Sequence, residues 1–90
     1  MSFQFDISED LRKALDKLAI RDRTLAIAVR KKIVQIVACD AISIARYKNL
    51  TGSMKHLKRV HIGSFVLIFS IKSNKILFES LRHHDESYLR

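Results

Sequence analysis

Two dipeptides, Gly63-Ser64 and Ser73-Asn74, constrain the last third of this sequence more than any other feature. Each separates runs rich in β-branched and aromatic residues, and a two-residue connection makes a tight antiparallel hairpin. Leu57–Ile62, Phe65–Ile71 and Lys75–Leu81 are therefore predicted as consecutive strands of a meander. Glycine in first place suits a type II′ turn at Gly63-Ser64. The turns also set a register: Ile62 with Phe65, Val60 with Leu67, Lys58 with Phe69, Ile71 with Ile76 and Phe69 with Phe78. Directly paired residues share a face. Val60, Ile62, Phe65, Leu67, Phe69, Ile71, Ile76 and Phe78 thus make one apolar surface that something must cover. The other face holds Leu57, Arg59, His61, Val66, Ile68, Ser70, Leu77, Glu79 and Leu81, and His83 if the strand continues. On it Arg59, Ile68 and Glu79 form one predicted row, and His61, Val66 and Leu81 the next. A solvated face with an Arg59–Glu79 ion pair is one reading of that surface, and a binding face is the other.

The first half supplies the cover. Phe3, Phe5 and Ile7 alternate with polar neighbours, which predicts a short first strand. Ser8 reads as an N-cap, with Glu9 and Asp10 in the first turn of a helix over 9–20. A second helix is predicted over 24–39, and the short Arg21-Asp22-Arg23 joint makes the two an antiparallel hairpin. Ile27 and Val34 widen its apolar arc, which predicts cover on more than one side. Ala41–Arg46 is expected to extend this helix, and Leu50–His56 to be loop. The predicted fold is one α+β domain over residues 1–90, in the order β-α-α-β-β-β. The helix hairpin packs on one face of a small, mostly antiparallel four-stranded sheet.

Charge narrows the partner. Lys and Arg number 17 against 9 Asp and Glu, a net +8. All nine acids lie at or before Asp40 or at or after Glu79. The charged residues of 41–78 are all cations: Arg46, Lys48, Lys55, Lys58, Arg59, Lys72 and Lys75. A one-signed stretch of that length attracts phosphates, so nucleic acid is the expected partner, ahead of an acidic protein or a membrane surface. The single cysteine, Cys39, has apolar flanks and is expected to be a buried, inert thiol. The start Met1–Asp6 lacks a basic, apolar leader, and no run approaches a membrane span, so the expected place is the cytoplasm. The His83-His84 pair has no cysteine nearby and fits no standard zinc spacing, so neither metal nor any other cofactor is expected.

Three local segments carry a family resemblance. Tyr47-Lys48-Asn49-Leu50-Thr51-Gly52 is similar to a Tyr-Lys-x-Leu-x-Gly segment that leads into the sheet of RelE/ParE toxins. Lys58-Arg59-Val60-His61-Ile62-Gly63-Ser64-Phe65 resembles that family's basic alternating strand, glycine turn and aromatic. Arg82-His83-His84-Asp85-Glu86-Ser87-Tyr88 resembles its basic C-terminal segment ending in tyrosine. Element order extends the resemblance over nearly the whole chain. It implies the toxin of a toxin–antitoxin pair, neutralised by a small cognate antitoxin protein. A RelE-like member is a metal-independent endoribonuclease that cuts messenger RNA on the ribosome. A ParE-like member instead poisons DNA gyrase.

Such cleavage has the ribose 2′-hydroxyl attack the adjacent phosphorus. It needs a proton acceptor, positive charge for the phosphorane and a proton donor for the leaving 5′-oxygen. Histidine suits the proton work and arginine the phosphate. Carried over by resemblance, Arg59 and His61 fall where the family has basic residues on the exposed strand face. Counted back from Tyr88, the family's His-Arg pair falls on His83-His84; in the preferred alternative, Arg82 falls at a phosphate-binding arginine and His83 or His84 at a catalytic histidine. Tyr88 falls at the closing tyrosine, which stacks on a base or assists the transfer. The expected catalytic set is His61, Arg82, His83, His84 and Tyr88. The expected RNA contacts are Lys48, Lys55, Lys58, Arg59 and Lys72. Val66 stands where many ribonuclease members carry arginine. That departure supports the alternatives: a non-catalytic or degenerate member that acts by binding, or a gyrase inhibitor.

Overall fold

A computed structural model describes residues 3–84. In chain order its elements are β1 Gln4–Ile7, α1 Glu9–Arg21, α2 Arg23–Val37, α3 Ala41–Ala45, β2 Lys48–Asn49, β3 Lys58–Ile62, β4 Phe65–Lys72 and β5 Lys75–His83. A single 3-10 turn spans Gly52–Met54. The sheet order is β1-β5-β4-β3-β2. Only β1 runs parallel to its neighbour, β5; the other pairs are antiparallel. The α+β class and the helix hairpin are as expected, but the sheet has five strands rather than four. The fifth, β2, is two residues long and too short to show a period in the sequence.

Both helix starts are capped as the residue types dictate. The Ser8 hydroxyl accepts from the Leu11 amide at 3.0 Å, and the Asp22 carboxylate from the Leu25 amide at 3.1 Å. Asp22 also ends α1, so one residue serves both helices. The expected extension of α2 through Arg46 does not occur. Asp40 accepts from the Ser43 amide at 2.7 Å and starts a separate short helix. That bond holds the exposed Asp40 carboxyl below its ordinary pKa.

The helix-facing core contains Leu11, Leu15, Val29, Ile33 and Ile36 from the hairpin and Ile62, Leu67, Phe69, Ile76 and Phe78 from the sheet. All five pairings predicted from the turns are present. Gly63 has φ +59, as a II′ turn requires, while Ser73 and Asn74 both take positive φ. Cys39 is half-buried, and its thiol donates to the Gln35 carbonyl at 3.4 Å. Ile27 and Val34 are 45% and 68% exposed, so α2 is covered on one side only, contrary to its wide apolar arc.

Two corrections concern the second face of the sheet. It is not an open surface throughout. Val66 and Ile68 are buried beneath Leu50, Leu57 and Met54, which the chain folds back over them after β2. The register also shifts within β5. Phe69 pairs with Phe78, but Ile68 pairs with Ser80, leaving Glu79 as a β-bulge. The Ser8 hydroxyl donates to the bulged Glu79 carbonyl at 2.7 Å, so the cap of α1 also anchors the bulge. Every residue after Glu79 changes face. The rows are therefore Arg59–Ile68–Ser80 and His61–Val66–Arg82, not the predicted rows ending in Glu79 and Leu81. Leu81 packs against the helix-facing core. His83 likewise shares the face of its partner Phe65, not that of His61. No Arg59–Glu79 ion pair forms among the described residues.

Candidate active site

The bulge brings Arg82 onto the same face as Arg59 and His61. His61 on β3 is exposed, Val66 beside it on β4 is fully buried, and Arg82 on β5 completes the row. Two strand spacings, about 10 Å at the Cα atoms, separate His61 from Arg82. Val66, covered by the Leu50, Leu57 and Met54 cluster, puts a buried apolar residue between an imidazole on one strand and a guanidinium on the other.

The tail histidines sit at the Gly63-Ser64 turn, at the same end of the sheet. The His83 ring meets the Phe65 ring edge-on, with centroids 5.3 Å apart. The His84 ring stacks on His83 at 4.7 Å. The Ser64 carbonyl receives both the His84 amide and its Nδ1, each at 2.9 Å. A carbonyl oxygen can only accept, so Nδ1 carries the proton. In the neutral ring Nε2 is then the basic nitrogen. Ser64 thus selects the tautomer of His84, the device that orients a proton-transfer histidine.

The other expected RNA contacts are dispersed. Lys48 lies directly across from Arg59. Lys58 is turned inward: its ammonium donates to the Tyr47 carbonyl at 3.0 Å, Asn49 Oδ1 at 3.1 Å and the Ala45 carbonyl at 3.4 Å. Its ammonium secures the 45–49 segment. Lys55 is exposed just after the 3-10 turn. Lys72 is exposed at the far end of β4, six residues and about 20 Å from Val66. Tyr88 lies outside the described residues. Arg46 was not singled out from the sequence, although it immediately precedes the Tyr47–Gly52 segment. It joins Lys48, Arg59 and His61 around one concavity.

A larger cleft of about 730 Å³ opens along β5 beyond the reach of β1, with Met54, Leu57, Ile68, Ser80 and Arg82 on its walls. Asp10 and Glu79 line it too, so this edge is the acidic side of the face. Tyr47 packs edge-on against Phe69 at 5.7 Å, and burial pushes its phenol above the ordinary pKa. Among the described residues no cluster of three or more His, Cys, Asp or Glu could hold a metal ion. No helix among them is long and apolar enough to cross a membrane.

Comparison with known proteins places this arrangement. No family model matches the chain. A protein of Methanocaldococcus jannaschii assigned as toxin RelE4 is 36% identical over 89 residues, covering 96% of this chain and 90% of its own. The chain belongs to the RelE/ParE toxin superfamily. The fold agrees. Escherichia coli toxin RelE, solved in the free state as an arginine-to-alanine double mutant, superimposes with a TM-score of 0.71 at 18% identity over 99% of this chain and 90% of that one. The E. coli DinJ–YafQ toxin–antitoxin complex matches with a TM-score of 0.68 at 17% identity, over 93% and 94%. Of the residues singled out by resemblance, Arg59, His61 and Arg82 share one sheet face, whereas the bulge turns His83 toward Phe65.

Proposed function

We propose that this protein is the toxin of a toxin–antitoxin pair and a metal-independent messenger RNA endoribonuclease that works on the ribosome. The observation that carries the reading is the His61–Val66–Arg82 row, closed at the turn end by His84 with its Nδ1 proton committed to Ser64. In this reading the scissile phosphate lies between His61 and Arg82, above the apolar residues that cover Val66. Arg82 donates to its non-bridging oxygens and stabilises the charge that grows on the phosphorane. One imidazole takes the 2′-hydroxyl proton as that oxygen bonds to phosphorus. The other gives a proton to the 5′-oxygen as its bond to phosphorus breaks. The products are a 2′,3′-cyclic phosphate and a 5′-hydroxyl. A cognate antitoxin with an acidic segment meets the cations of the acid-free stretch 41–78 and blocks the site. The cytoplasm, where messenger RNA is translated, is the place of action.

Inducing the protein alone in growing cells and mapping messenger RNA 5′-ends tests this. New ends within translated frames together with growth arrest are expected, and both should disappear with Arg82→Ala. Normal growth without cuts would leave a non-catalytic member. The burial of Val66, where many ribonuclease members have arginine, favours that second reading. Arrest without cuts would point to gyrase, to be examined by supercoiling with purified protein.

A further inference from the structure

β2 pairs with β3 at Lys48–Arg59 and Asn49–Lys58, and the Leu50 amide continues the ladder to the Leu57 carbonyl at 2.9 Å. Beyond Arg59 the two segments part. The space between them, about 300 Å³, is lined by Arg46, Tyr47, Lys48, Arg59, Val60 and His61. Its charges are unbalanced. Lys48 and Arg59 are direct cross-strand partners, an arrangement of like charges that opposes pairing. Arg46 adds a third cation. Among the described residues, none of Arg46, Lys48, Arg59 and His61 makes an ion pair or a side-chain hydrogen bond. The Nε of Arg59 is moreover buried with no partner, whereas buried donors are nearly always satisfied. The wall of the cleft is fixed in advance. Lys58 ties down the Ala45 and Tyr47 carbonyls and Asn49, and the Tyr47 ring rests on Phe69. Three cations converge on a prebuilt concavity that supplies no anion of its own.

His61 belongs both to this cleft and to the candidate catalytic row, so whatever fills the cleft is continuous with the reacting strand. The opposite, β5 edge carries Asp10 and Glu79 beside Arg82, so cation and acids are mixed there. We propose that the cleft is a second phosphate site, in which Arg46, Lys48 and Arg59 hold a backbone phosphate neighbouring the one that is cut. This rests on the ribonuclease reading for the identity of the strand. Lys58 is a positioning residue for the site and makes no contact with RNA.

A short RNA with 2′-O-methyl riboses tests the site without cleavage, because its nucleophile is blocked. Its affinity is measured by fluorescence anisotropy across a range of salt concentrations. Arg46→Ala with Lys48→Ala should weaken binding roughly tenfold at low salt and flatten the log–log salt slope by about 0.7, the change for one single-strand phosphate. Arg12→Ala with Lys17→Ala removes the same charge from the outer face of α1 and should leave the slope intact. Arg46→Glu separates binding from folding. It relieves the crowding of cations, so it should melt no lower than the parent while losing RNA. An unchanged slope in the Arg46/Lys48 variant, or an equal loss in the α1 control, would overturn the site. Cleavage of unmodified RNA by the parent protein and by Arg82→Ala tests the ribonuclease reading separately. Cleft-dependent binding without cutting retires that reading and keeps the site; no RNA binding by the parent protein removes both.

Discussion

A neutral imidazole accepts a proton only at the nitrogen that lacks one, and at position 84 the Ser64 carbonyl makes that choice. His84→Gln can still donate to Ser64 but cannot carry a proton through the reaction. It is expected to lower single-turnover cleavage by roughly 10²–10⁴, the usual weight of general acid–base catalysis, with an unchanged melting temperature. A variant that cuts at the parental rate would remove His84 from the chemistry. Asp40 gives a residue-scale prediction of the opposite kind, about stability alone. Its folded pKa is depressed, chiefly because it accepts from the Ser43 amide. The stability it contributes is therefore present above its unfolded pKa and is lost as pH falls through the folded one. Thermal melts of the parent and of Asp40→Ala should differ at neutral pH and converge through the acid range. A constant gap would mean the carboxylate charge is irrelevant to the cap.

The elements show what the sequence could and could not disclose. Two-residue turns have few solutions, so Gly63-Ser64 and Ser73-Asn74 fixed five cross-strand pairs correctly. A bulge has no such signature. Glu79 sits in an alternating run, and only packing shows that Leu81, not Ser80, belongs to the helix-facing core. The positions and chemistry of Arg82, His83 and His84 were legible, but their faces were not. Lys58 illustrates a second limit, because a basic residue in a basic strand looks like a phosphate contact until the carbonyls around its ammonium are visible. The exposed Ile27 and Val34 are a third, since an apolar arc records what could be buried rather than what is. The bulge itself is testable. Deleting Glu79 removes the extra residue, so Ser80, Leu81 and Arg82 keep their partners Ile68, Leu67 and Val66 and therefore their faces. Cleavage should survive the deletion, because Arg82 stays in the row with His61. The protein should melt lower, because the Ser8 hydroxyl loses the carbonyl it now meets. Loss of cleavage by a folded variant would show that the bulge does more than set the face of Arg82.

For the molecule as a whole, net charge and charge placement make different predictions. A field from all +8 charges would let any cation help to recruit RNA, whereas a local surface needs only those near it. Size decides between them. The shortest dimension of the chain is 21 Å, and the Debye length at physiological salt is about 8 Å. Charges on the outer side of α2 are therefore largely screened from the open sheet face. Reversing Arg30 and Lys31 to glutamate there changes the net charge from +8 to +4, since each reversal removes two. Reversing Lys48 and Lys55, both exposed in the acid-free stretch, makes the same change. At physiological salt the α2 pair should alter RNA association by less than about twofold, because little of its field reaches the site. The Lys48/Lys55 pair should cost at least about tenfold, since two cations near the open face become repulsive to phosphate. At low salt the screening length grows and the α2 variant should begin to lose affinity as well. Association rates measured across salt for the two variants check this. Equal losses at physiological salt would mean that total charge, and not the surface between Arg46 and Arg82, draws RNA to this protein.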